Sequence, residues 1–137
     1  MRNLERVAKM LGGVAFCVSL TVACAANAAD KRVTAAFGNT VLSTYPDGRS
    51  QKVWLHPDGS WTGAARDGRA LAGKWRLTAD KVCLRQSQPP TLPFSMCLPF
   101  PAGAKVGSTW AANDFGGTPI RLKVVRGIQT RTVKATK

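Results

Sequence analysis

Beyond Glu5 this chain contains no glutamate, and it has one histidine, His56, and one tyrosine, Tyr45. General acid-base and nucleophilic chemistry needs titratable groups set together in a cleft, so a supply this thin argues against an enzyme. Metal ligands are equally sparse. A single histidine with scattered cysteines lacks zinc-site spacing, and no loop has the oxygen-rich pattern closed by glutamate that calcium loops use. No metal and no cofactor is expected. After the N-terminal apolar segment no second run is long enough to span a bilayer, and no window outside that segment shows a convincing helical period.

What the sequence does contain begins with its leader. The opening MRNLERVAKMLGGVAFCVSLTVACAANAAD has cationic Arg2, Arg6 and Lys9, an apolar run from Met10 to Ala26, and the small triplet Ala26-Asn27-Ala28. That is the anatomy of a secretory signal peptide, residues 1–28, cleaved after Ala28. A looser reading takes Thr21-Val22-Ala23-Cys24 as a lipobox, with the exported protein anchored through a lipidated Cys24. Residues 29–128 then form one β domain with a modest core. Residues 129–137 form a flexible basic tail. The whole chain has 20 Lys plus Arg against 7 Asp plus Glu, a formal +13, and removing Arg2, Arg6, Lys9 and Glu5 lowers this to +11.

Cys17 and Cys24 belong to the leader, so the exported domain keeps one pair, Cys83 and Cys97. In an oxidising compartment these should form a structural disulfide that stabilises by about 3 kcal/mol. Periplasmic export is the expected localisation.

Asp-Gly pairs at Asp47-Gly48, Asp58-Gly59 and Asp67-Gly68 recur about ten residues apart, and each is expected to be a type I′ hairpin turn rather than a site. The strand candidates between them are 33–37, 40–45, 51–56, 60–65, 70–77, 81–86, 95–98, 109–112 and 119–126. Alternation sets Leu71, Gly73, Trp75 and Leu77 against Lys74 and Arg76. It sets Ile120, Leu122 and Val124 against Arg121 and Lys123. The fold class is therefore all-β: a small antiparallel up-and-down barrel or rolled meander of about eight strands, closed to hide its edges. QSQPPTLPFSMCLPFPAG, with five prolines, is expected to be an irregular loop pinned through Cys97 to the strand at 81–86.

FGNTVLSTYPDGR, WLHPDGSW, LAGKWRL and VCLRQ together resemble small exported bacterial proteins, chiefly alphaproteobacterial, from families of unknown function. Their pattern runs Gly-Asn-Thr, Asp-Gly, Gly-x-Trp and a Cys-containing strand. The resemblance covers residues 37–98. It implies an exported β domain and supplies no catalytic residue.

The candidate binding residues are cationic and aromatic. If Val53 and Leu55 face the core, Trp54 is exposed beside Lys52 and His56, where it can stack a ring and neutralise an acid. The opposite register buries Trp54, the commoner fate of a large aromatic. Trp61, Trp75 and Trp110 are assigned to packing. His56 with Asp58 or Asp114 has no spacing argument as a catalytic group, although Asp114 in NDFGGT sits in a Gly-rich loop of the kind that holds ligands. Lys74, Arg76, Arg121 and Lys123 supply a basic β surface that attracts anionic envelope lipids or polymers. No RNA-binding signature accompanies them, so no specific nucleic acid is expected.

The functional expectation is a noncatalytic, monomeric envelope protein binding an anionic or small apolar ligand through this basic surface or the barrel interior. Surface binding would be salt-sensitive, whereas capture inside the barrel would be salt-insensitive and depend on Trp75. The alternative is an accessory or inhibitor protein docking on another exported protein. Inhibition of the common cationic lysozymes is disfavoured, because like charges oppose association.

Overall fold

The structure, a computed structural model, describes residues 31–91 and 93–130. The signal peptide with its cleavage point, the lipidation reading of Cys24, and tail residues 131–137 lie outside the described residues. Eight strands follow one another: β1 (Thr40–Thr44), β2 (Ser50–Leu55), β3 (Ser60–Ala64), β4 (Ala70–Thr78), β5 (Lys81–Gln88), β6 (Ser95–Pro99), β7 (Thr109–Asn113) and β8 (Pro119–Val125). All ladders are antiparallel and the sheet order is β6-β5-β4-β3-β2-β1-β8-β7. The sheet curls into a nearly closed barrel.

Because β8 pairs with β1, the two sheet edges are β6 and β7, which are consecutive in sequence. Side chains bridge this seam at both ends. The Trp110 indole N–H donates to the Pro99 carbonyl at 2.8 Å and its ring packs edge-on against Phe100. At the other end Phe94 stacks on Phe115, with centroids 5.9 Å apart.

Period-two alternation builds the core. Val41, Val53, Leu55, Trp61, Leu71, Trp75, Leu84, Leu122 and Val124 face inward and are buried, each contributing about 1.5–3 kcal/mol relative to exposure. Trp61 fits because its neighbours are glycines. A Cβ at Gly73 would strike the Arg85 carbonyl and sit 2.7 Å from Trp61 Nε1, and one at Gly63 would lie 3.3 Å from the same indole. Trp61 therefore lies across the sheet and donates its N–H to the Arg85 carbonyl at 3.3 Å, at a point where the β4–β5 ladder bulges between Ala72 and Gly73.

Three expectations are corrected. Residues 33–37 are not a strand. Residues 31–33 are helical and continue into a 3-10 turn, Thr34–Ala36. Val33 and Ala36 are fully buried, and their spacing of three puts both on the side of the turn that plugs one barrel end. Phe37 packs on Trp75 there, and Arg32 donates to the Ala79 carbonyl in the β4–β5 turn.

The Asp-Gly turns are not type I′. Only the glycines take positive φ (80°, 82° and 86° at Gly48, Gly59 and Gly68) while the aspartates do not. Each loop closes with paired bonds such as Tyr45 N–H to Arg49 O and Gly48 N–H to Tyr45 O. That is the three-residue hairpin, a type I turn followed by a glycine bulge. One left-handed residue per turn suffices, and glycine supplies it.

Cys97 lies in the strand read at 95–98 and not in an irregular loop. It lies in β6 directly opposite Cys83 of β5, and the two form the disulfide. Pro89, Pro90 and Pro93 precede the strand, while Pro99 ends it on an edge, where a missing N–H costs no ladder bond.

Candidate ligand-binding site

The barrel ends differ. At the capped end the 3-10 turn fills the opening. The other end, ringed by the turns at 46–48, 66–68 and 114–117 and by the proline-rich connection, opens into a cavity of about 630 Å³. Its floor is Trp61, Leu71, Leu84 and Met96; Gln51, Gln86, Arg69, Phe94 and Phe115 stand around the mouth. Phe94 and Phe115 are 55% and 73% exposed. Deeper in, the barrel is packed: a gap of about 30 Å³ among Val41, Leu55, Leu98 and Leu122 is water-sized, not ligand-sized.

The floor is apolar, and each arginine of the surrounding turns has an aspartate within reach, Arg49 and Arg66 sharing one. Arg49 pairs with Asp47 at 2.8 Å, Arg66 approaches Asp47 at 3.6 Å, and Arg69 pairs with Asp67 at 2.7 Å. Hydrogen bonds from the Arg49 side chain and backbone hold Asp47 below the ordinary carboxylate range, and those from the Arg69 backbone and side chain do the same for Asp67. Asp58, at the capped end, is lowered in the same way by Ser60. Arg66 lies 4.1 Å from the Tyr45 ring centroid. Burial, with Asp114 second, pushes the Tyr45 phenol up. The Asp114 carboxylate accepts N–H bonds from Gly116 and Thr118 of its own loop, which leaves Phe115 at the loop's tip to meet Phe94.

The candidate residues read from the sequence do not converge. Val53 and Leu55 face the core, so Trp54 is on the outer face, but its indole N–H is tied to Thr40 Oγ1 at 2.9 Å and its ring is half-buried. Lys52 beside it is only 7% exposed. His56 Nε2 bonds the Thr62 hydroxyl at 3.1 Å. Lys74 and Arg76 on β4 and Arg121 and Lys123 on β8 are four strands apart in the eight-strand order, so they occupy opposite walls rather than one face. Trp75 sits at the capped end, its indole bonded to the His56 carbonyl at 2.8 Å. Trp61, not Trp75, lines the cavity.

Sequence reasoning missed Phe94, Met96 and Phe115. The available signal was a bulky aromatic in each of two connections whose other residues are mostly turn formers, a placement with no packing reason unless the connections meet. Comparison with protein-family models, with curated proteins and with solved structures finds no match for this chain.

Proposed function

We propose that this protein is an exported, noncatalytic β-barrel whose mouth cavity takes a small, neutral, predominantly apolar molecule. The observation that carries the reading is the cavity of about 630 Å³ floored by Trp61, Leu71, Leu84 and Met96 beneath the exposed Phe94–Phe115 stack. Its volume falls in the range of small-molecule pockets, about 300–1,000 Å³. A neutral ligand is favoured because Arg69, the one charged residue lining the cavity, is already paired with Asp67, while Arg49 and Arg66 share Asp47 outside it. Export is supported by the leader's anatomy and by the Cys83–Cys97 disulfide, which belongs to oxidising compartments.

Titration with the neutral fluorescent probe N-phenyl-1-naphthylamine tests this. The expected result is saturable binding at one site, insensitive to salt. Met96→Trp, which fills the floor, should weaken it at least about tenfold, and Phe115→Ala, which removes ring contact at an exposed position, about threefold to tenfold. Salt-dependent binding, or equal binding by Met96→Trp, rejects the reading.

The second reading, docking on another exported protein, draws on the same exposed Phe94 and Phe115, since paired exposed aromatics also anchor interfaces. It predicts that Phe115→Ala abolishes association with a defined partner while Met96→Trp leaves it intact.

A further inference from the structure

The outer wall formed by β4 and β5 carries four cations and no acid of its own. Lys74, Arg76, Lys81 and Arg85 point outward and are exposed, alternating with the buried Trp75, Val82 and Leu84. Lys74 and Arg85 are direct cross-strand partners. At that separation, about 5 Å between side-chain roots, like charges destabilise a sheet.

The ion pairs on the mouth turns include none of these four cations. The nearest carboxylates are on turns at the capped end. Asp58 is bonded to Ser60 and also feels the charge of Lys74 without forming an ion pair with it, and Asp80 sits in the β4–β5 turn itself. The contrast with the mouth is the informative point: there each arginine faces an acid, whereas here two cations are set directly against each other.

An anion supplied from outside would relieve that repulsion, and the geometry limits its kind. The wall is the convex side of a barrel, and none of the four residues lines either cavity. Successive outward residues on one strand are about 7 Å apart, so a single compact anion cannot be gripped by all four, while a flat array of phosphates can meet each one. We infer that the β4–β5 wall is a docking surface for an anionic lipid bilayer, with headgroup phosphates facing Lys74, Arg76, Lys81 and Arg85. It uses no residue of the mouth cavity, so the two sites stand or fall separately.

The test compares three proteins with the same N-terminus: wild type, Lys74→Gln/Arg85→Gln, and Arg121→Gln/Lys123→Gln. The two variants lose the same net charge from opposite walls. Partitioning is measured onto vesicles of phosphatidylcholine alone and of phosphatidylcholine mixed with phosphatidylglycerol, with inorganic phosphate as a competitor.

The expected result is binding to the mixed vesicles that falls with salt. The β4–β5 variant should lose about twenty-fivefold, roughly fivefold per cation removed, and the β8 variant less than about twofold. Both substitutions are at exposed positions, and the first removes a like-charge pair, so thermal melting should show both variants folded. Equal losses in the two variants would reduce the effect to net charge and overturn the proposal. So would absence of binding to the mixed vesicles, or competition by inorganic phosphate at an ionic strength where salt alone does not compete.

Discussion

The hydroxyl of Thr40 accepts hydrogen bonds from the Trp54 indole N–H and the Gln129 backbone N–H and donates to the Gly127 carbonyl. A threonine hydroxyl has one donor and two acceptor sites, so all are used, and Thr40 is fully buried. This one residue fastens the chain after β8 over the start of β1 and fixes Trp54 on the outer face. Thr40→Val keeps the shape and orphans three polar groups, so urea unfolding should show a loss of about 1–3 kcal/mol. None of this was legible in the sequence, because it depends on residues far apart in the chain meeting at one atom. What was legible is the parity of β2, which offered Trp54 either buried or beside cations. The structure puts it on the outer side but spends its polar atom on packing.

The turn aspartates give a second prediction at the same scale. Asp47, Asp58 and Asp67 titrate below their ordinary range in the fold because side-chain and backbone N–H or O–H groups bond their carboxylates. Their stabilisation is present above the unfolded value, about 3.9, and is lost as pH falls through the lower folded values. Melting temperature followed downward from neutral pH should hold until about pH 4 and then decline. The decline is modest, because the carboxylates are exposed to solvent. A flat acid limb would contradict these bonds.

At the scale of elements, strands were readable where burial enforces period two, as in β4 and β8. Turn positions were readable because Asp-Gly marks them. Turn type was not, since the sequence does not reveal whether one or two residues go left-handed. Val33 to Phe37 misled because five residues, four of them apolar, fit a strand as well as a turn of helix, and only the barrel opening they plug decides between them. β6 was legible as the candidate at 95–98, although the prolines around it also suggested an irregular loop.

The element that most shapes the site is the β3–β4 pair, where Trp61 lies opposite Gly73. Gly73→Ala forces a methyl onto the Arg85 carbonyl and the Trp61 indole. Overpacking of this kind costs about 1–3 kcal/mol and tilts Trp61 into the cavity. Chemical denaturation should report the loss, and probe affinity should fall more than in a surface control such as Thr62→Ala.

For the whole molecule, the meaning of the large positive charge in the composition depends on arrangement that only folding reveals. Strand order sends Arg121 and Lys123 to the wall opposite Lys74 and Arg76. The turns at 47–49 and 67–69 neutralise themselves, and the cavity floor is left apolar. The cavity was illegible for the same reason: its rim aromatics, Phe94 and Phe115, come from connections on either side of the β6–β7 seam, and no local pattern joins them.

The four tryptophans make the central claim directly measurable, because each indole N–H reports a different place. Trp61 is on the cavity floor, Trp54 on the outer face, Trp75 at the capped end and Trp110 on the seam. Recording the indole N–H resonances by NMR while a neutral apolar probe is titrated in should shift Trp61 selectively and leave Trp54 and Trp75 in place. A shift centred on Trp54 or Trp75, with Trp61 unmoved at saturation, would contradict binding at the mouth.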